Sequence, residues 1–321
     1  MKNIVTISNF KEGKTIQGFF LCLEKSLRHS RNGDLYIDII LRDQTGKINA
    51  KIWDKVNEFD KKFQNGDAVA IKGAVEVYQK KIYLIIKRIN KATVQNYARY
   101  GFDPALISPS AKVDSKIMWK ETLLIIKTIK SPALRKMVMM VYDQYKNKII
   151  IFPDSVSKNH NYISGLLEHI LSMAKIGSFL AKYYKLNKDI VLVSIFFLDL
   201  GKIFTLKAGY QPTKNKIGNL LGHIFISRDL LIKFSKKVKG IDKSLILEIE
   251  HIITSVPTPF EKQSFNFPSS KEAIIVNAIK HLDSRINIIQ SLLLLENQEE
   301  GMTNKHNIFG RPLYSGKDVS K

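Results

Sequence analysis

Residues 15–54 read TIQGFFLCLEKSLRHSRNGDLYIDIILRDQTGKINAKIWD, with apolar and polar residues alternating on either side of two turn dipeptides, Asn32-Gly33 and Thr45-Gly46. A period of two belongs to a strand with one buried face, and Asn-Gly supplies the positive φ that a tight hairpin needs. The stretch therefore predicts a strand, a hairpin, a second strand and a third. From Asp54 to Phe63 the period changes, because Val56, Phe59 and Phe63 repeat at helical spacing. Asn65-Gly66-Asp67 then opens two more alternating runs, AVAIKGAVEVY and KIYLIIKRI.

Five strands with a short helix between the third and fourth follow the order of an OB-fold β-barrel, expected here over residues 1–92. Barrels of this kind present their second and third strands to single-stranded nucleic acid, stacking bases on aromatic rings and holding phosphates with Lys or Arg. The residues that match are Tyr36, Trp53 and Tyr78 for stacking, and Lys25, Arg28, Arg31, Lys47 and Lys51 for the backbone. Phe19 belongs to the same set, with a core role as its plainer reading, and Trp53 stands between platform and core.

The whole chain of 321 residues holds 51 Lys+Arg against 29 Asp+Glu, a formal charge of +22. That excess points to a polyanionic partner, single-stranded RNA or DNA first; a lysine-rich surface with no partner is the plain alternative. A lone cysteine, Cys22, excludes an internal disulfide framework and a Cys-rich zinc site, and suits a reducing cytoplasmic location. The N-terminal residues lack the apolar core of a signal peptide. The apolar run Ile190 to Leu198 falls far short of the ~20 residues that span a bilayer. No membrane role is expected.

Residues 93–116 lose periodicity and gather Gly, Pro and Ser, as a linker does. Beyond them the pattern is helical to residue 321, with helices expected at Trp119 to Ile129, from Ser131-Pro132 through Tyr145, and at Ser164 to Tyr184, Lys188 to Leu198, Gly218 to Phe234, Lys243 to Thr254 and Ser270 to Leu295. The second domain, residues 117–321, is expected to be all-α. Its apolar segments carry ionisable residues: His169 in LLEHILSM, Asp199 in FFLDLGKIF, His223 in LLGHIF and His251 in IEHIIT. Each His alone reads as a hydrogen-bonded core residue. Their occurrence together with a buried Asp raises the metal reading.

The order of barrel, linker, HNYISGLLEHILSM, FFLDLGKIF, LLGHI, EHIITS, SSKEAIIVNAIKHLDSRI and NIFGRPLY resembles the YhaM-type 3′-5′ exoribonucleases, which join an OB fold to an HD-superfamily phosphohydrolase domain. The resemblance implies a divalent ion, Mn²⁺ or Mg²⁺, held by a His, a His-Asp pair and a later Asp, and trimming of single-stranded RNA from its 3′ end. His169 matches the first ligand and Asp199 the Asp of the pair, whereas Leu198 stands where the pair's His belongs. Lys280 takes the place of the later Asp, with Asp283 one helical turn on. Ser255-Val256-Pro257-Thr258 occupies the position of a Ser-His-His-Gly element, and Asn159 that of the first His in His-His-Asn-Tyr.

The expectation is thus an RNA-binding member of that family with a vestigial metal site at His169 and Asp199, Asp283 and His251 being further possible ligands. Lys280 would either pair with Asp199 in place of the ion or reach to solvent while Asp199 caps local backbone, and Lys202 and His223 would join Asp199 as the groups facing phosphate. The alternative is an active 3′-5′ exonuclease with an altered ligand set. The apolar stretch Ile286 to Leu295 would suit a homo-oligomer or a larger assembly.

Overall fold

The computed structural model describes residues 5–30, 32–78, 81–108, 111, 113–157, 159–256, 267–295 and 301–316, without the side chains of Tyr78, Ala105, Leu294 and Leu295. The chain divides into two compact units, residues 1–110 with 209–211, and residues 111–208 with 212–321.

In the first unit the alternating runs form strands β1 (Thr15–His29), β2 (Leu35–Arg42), β3 (Lys47–Ile52), β4 (Ala68–Tyr78) and β5 (Lys81–Lys91), with helix α1 (Val56–Asp60) between β3 and β4. They close as a barrel in the order β1-β2-β3-β5-β4. The β3–β5 pair is parallel and the other pairs are antiparallel. The period of two fixes the faces: Ile37, Ile39 and Leu41 on β2 and Ile48, Ala50 and Ile52 on β3 are buried in the barrel core, so the residues between them point outward.

After β5 the chain returns to the barrel. Thr93 caps a short helix, α2 (Val94–Tyr97), by accepting from the Asn96 N–H. Phe102 and Ile107 then join Phe19, Leu21, Ala68 and Ala92 in a second apolar cluster. Phe19 is accordingly a core ring, 5.0 Å between centroids from Phe102. Much of the stretch expected as a connector is thus packed on the first unit, because Phe102 and Ile107 gain more from burial than an extended linker would allow.

The second unit contains α3 (Ser115–Lys127), α4 (Pro132–Ile151), α5 (Gly165–Tyr183), α6 (Lys188–Leu198), α7 (Lys202–Thr205), strands β6 (Leu206–Lys207) and β7 (Thr213–Lys214), and helices α8 (Lys216–Leu220), α9 (Ile224–Ser235), α10 (Lys243–Thr254) and α11 (Lys271–Leu295). The caps are those the sequence offers: the side chains of Ser131, Asn187 and Asp242 accept from N–H groups in the first turns of α4, α6 and α10. Helix α6 has no polar face; every residue from Ile190 to Leu198 is buried, Leu198 included.

Two details differ from expectation. The β6–β7 hairpin interrupts an otherwise helical unit. The helix expected over Gly218 to Phe234 is two helices, because Gly222 takes φ +69° and reverses the chain, leaving His223 as the residue that opens α9. Among the described residues no helix is long and apolar enough to cross a membrane.

Candidate nucleic-acid interface and a buried charged pocket

On the barrel, the outward residues of β1, β2 and β3 form rows across the strands. Ile37 lies opposite Ile52 and Asp38 opposite Lys51, which brings Tyr36 beside Trp53; on the other side Tyr36 faces Arg28. The Tyr36 and Trp53 rings stack with centroids 4.6 Å apart at 28°. The Lys51 ammonium lies over both, 5.1 Å from the Tyr36 centroid and 5.5 Å from that of Trp53. Trp53 is 40% exposed, so this is a platform in water and not a core pair. Glu24, Ser26 and Arg28 of β1, Asp38 of β2, and Asn49 and Lys51 of β3 line an adjoining groove. Arg28 approaches the Asp38 carboxylate at 3.4 Å and stays largely exposed. Lys47 lines a neighbouring groove with Lys81 and Ile82.

Lys25, expected to hold phosphate, has a different position. It pairs in register with Ile39 on the core-facing side of β1. Its ammonium donates to the backbone oxygens of Asp60 and Phe63 at 2.7 and 2.9 Å and meets the Asp60 carboxylate at 2.8 Å. Three acceptors occupy its three donors, so it closes the C-terminal end of α1 onto the barrel. Arg31 and the side chain of Tyr78 lie outside the described residues.

In the second unit, five segments bring ionisable groups to one buried place, one of them the start of α9 with His223. The turn after α6 carries Asp199, α7 opens on Lys202, and α5 carries Glu168, His169 and Ser172. The loop before α5 brings Asp154, His160 and Tyr162, while α11 brings Lys280, Asp283 and Asn287. The Asp199 turn is seated by Ser227 of α9, whose hydroxyl donates to the Leu198 carbonyl and accepts from the Gly201 N–H, both at 2.9 Å. The loop is seated by Gly165: a Cβ there would stand 2.1 Å from the His160 carbonyl oxygen.

Asp199 is fully buried and three groups crowd its Oδ1: the ammoniums of Lys202 and Lys280, each at 2.9 Å, and His223 Nε2, which lies 3.1 Å away without making a hydrogen bond. Lys202 also donates to Asp154 Oδ1 at 2.6 Å. Asp283 organises the imidazoles. Its Oδ2 lies 2.6 Å from His169 Nδ1 and 2.9 Å from His160 Nε2, and its Oδ1 accepts from Ser172. Tyr162 links His160 to Glu168. His169 Nε2 and Asp199 Oδ2 face each other at 3.4 Å, out of line, and neither has a hydrogen-bond partner among the described residues.

The electrostatics follow from burial and proximity. Burial opposes charge on Asp199, but Lys202, Lys280 and the two imidazoles hold its carboxyl well below the usual carboxylate range. Burial likewise opposes a charged His169, and Asp154, Asp199 and Asp283 overcome it, raising the ring to about 9. His160 is raised by Asp283 and Glu168 against its burial. His223 is lowered, burial and the two lysines outweighing Asp199.

Of the residues expected at a catalytic or metal site, the fold brings together His169, Asp199, Lys202, His223 and Asp283, with Lys280 on Asp199. His251 is placed elsewhere on α10, its Nε2 accepting from the Ser269 N–H at 3.0 Å. Asp154, His160 and Glu168 are additional members that sequence reading passed over. Asp154 follows Pro153 in an aperiodic loop, and the only hint was His160, beside the noted Asn159. Pro257 and Thr258 lie outside the described residues.

A family model of the tRNA anticodon-type OB-fold nucleic acid binding domain matches residues 23–92. Among solved structures, the second OB-fold domain of replication protein A from Methanococcus maripaludis is similar at 17% identity and TM-score 0.24, over 28% of this chain and 94% of that one. The mitochondrial single-stranded DNA binding protein from S. cerevisiae is similar at 15% identity and TM-score 0.24, over 26% of this chain and 97% of that one. The single-stranded DNA binding protein from Thermus aquaticus is similar at 14% identity and TM-score 0.22, over 25% of this chain and 40% of that one.

Proposed function

We propose that the protein binds single-stranded nucleic acid, RNA foremost, on the outer face of β2 and β3. The observation that carries this reading is the Tyr36–Trp53 stack with the Lys51 ammonium over both rings: an exposed π-surface for bases beside a cation for phosphate. The family model over residues 23–92 supports it, as does the surplus of basic residues. Anisotropy of labelled oligouridine tests it. Tyr36→Ala and Trp53→Ala are each expected to weaken binding by ~1–3 kcal/mol while leaving the melting curve in place. Unchanged affinity in both would overturn the reading.

In the second unit we read the resemblance to HD-type exoribonucleases as a charge arrangement that has exchanged its ion for lysine. The ligand atoms of Asp154, His169 and Asp199 lie within 4.8 Å of one another, a span that suits a divalent ion. Two ammoniums, however, stand 2.6–2.9 Å from the same carboxylates. A dication on those oxygens would meet each ammonium at roughly 4 Å, a repulsion on the order of several kcal/mol even at an effective dielectric constant of about 20. The pocket does not fit the ion while both lysines are in place, and this unit holds its substrate without cutting it.

A second reading, an active metal-dependent 3′-5′ exoribonuclease, is favoured by one observation, the ligand atoms of His160, His169 and Asp283 gathered within the same 4.8 Å. Incubating end-labelled RNA with Mn²⁺, with EDTA, and with the Asp199→Ala variant separates the two. Trimming that needs both Mn²⁺ and Asp199 selects the enzyme.

A further inference from the structure

The C-terminal half of α5 carries a second surface, about two turns beyond Ser172 of the charged pocket. Phe179, Tyr183 and Tyr184 are 66%, 70% and 57% exposed. Single exposed rings need no explanation, but three adjacent ones do. They are ordered against one another: Phe179 and Tyr183, four residues apart, lie near-parallel at 22° with centroids 6.3 Å apart, and Tyr184 stands edge-on to Tyr183 at 5.0 Å. Tyr183 is the last residue of α5 and Tyr184 its C-cap, and Lys185 takes φ 55° just beyond the helix end.

The segment that carries the rings holds charge of one sign, the nearest acids being Asp189 next in the chain, Glu272, which accepts from the Asn187 N–H, and Glu121 on Lys175. Residues 169–188 contain Lys175, Lys182, Lys185 and Lys188 and no Asp or Glu. Lys175 is neutralised by Glu121 of α3 at 2.5 Å. Lys182 and Lys185 are exposed, and neither meets an acid among the described residues. Interfaces between proteins enrich aromatic rings but deplete lysine, whereas single-stranded nucleic acids are held by rings and unneutralised cations together.

We propose that Phe179, Tyr183 and Tyr184, with Lys182 and Lys185, form a second contact surface for single-stranded nucleic acid, the rings stacking on bases and the ammoniums meeting phosphates. It shares the partner class of the proposed function but stands or falls separately from the barrel. The test compares the full chain with three variants: Phe179→Ala/Tyr183→Ala/Tyr184→Ala, Lys182→Gln/Lys185→Gln, and Tyr36→Ala/Trp53→Ala. Labelled oligouridines of graded length are the probe, and melting curves are the control for folding.

The ring variant is expected to bind long oligouridine at least about tenfold more weakly. In the lysine variant, which alters no buried residue, the slope of log K against log salt is expected to fall by about 1.4. Photo-crosslinking of 4-thiouridine RNA to wild-type protein is expected to mark the peptides spanning residues 176–185. Unchanged affinity and slope, with no crosslink there, overturn the inference. If only the barrel variant weakens binding, the α5 surface fails and the barrel reading survives; if only the α5 variants weaken it, the outcome is the reverse. A ring variant that binds as before but sediments as a smaller species makes this face a contact between proteins and likewise overturns the proposal.

Discussion

Asp199 is a buried carboxylate that keeps its charge because two ammoniums stand 2.9 Å from one of its oxygens. Removing one, by Lys280→Ala, leaves that charge under-compensated and is expected to destabilise the protein by ~3 kcal/mol in denaturant melts. The same change removes one of the two ammoniums that repel a dication, Lys202 remaining, so Mn²⁺ should raise the melting temperature of the variant more than that of the wild type. An equal Mn²⁺ response in both proteins would contradict the account. His169 gives a pH signature. Its pKa rises from an ordinary 6.5 to about 9, so its contribution is complete below pH 6.5 and is lost as pH rises through about 9. Across that window stability should fall by ~3 kcal/mol, and the fall should be absent in His169→Gln. Asp199 and Asp283, both depressed from 3.8, contribute in the opposite sense: their stabilisation is present above that pH and is lost as pH falls below it. At this scale the sequence was only partly legible. His169, Asp199 and Lys280 stood out as charges in apolar settings. Asp154 and His160 did not, because their loop has no period and their partners are distant in the chain, Lys202 for Asp154 and Asp283 and Asn287 of α11 for His160.

Among the elements, the turn between α6 and α7 depends on close backbone approach. A Cβ on Gly201 would stand 2.3 Å from the His223 carbonyl oxygen and 2.8 Å from the Ser227 amide nitrogen. Gly201→Ala is therefore expected to push α9 off the Asp199 turn, at a cost of ~1–3 kcal/mol by equilibrium melting. A loss within a few tenths would mean that the two segments are not held together there. Strands and helices were the most legible part of the sequence, since a period of two or of 3.6 is itself the record of which face is buried. Parity also explains the Lys25 correction. Lys25 and Arg28 are three positions apart on one strand and so face opposite sides, which a count of basic residues does not register. The split at Gly222 escaped because a glycine within a helical pattern reads as tolerated until its φ is known.

For the whole molecule, the formal charge of +22 makes a prediction about salt. Each phosphate neutralised on a single strand contributes about −0.7 to the slope of log K against log salt, so engagement of several lysines should give a slope steeper than about −2. Titrating oligouridine between low and physiological salt measures it, and a flat response would detach the surplus charge from nucleic acid altogether. The Lys280–Asp199 pair bears on stability in another respect. A bound ion stabilises a fold by an amount that grows with the free ion's activity, through RT ln(1 + [L]/Kd). A counter-charge that is part of the polypeptide carries no such activity dependence: it neither dissociates on dilution nor exchanges. The stabilisation that Lys280 confers is set at synthesis and travels with every copy of the chain, however scarce divalent cations become.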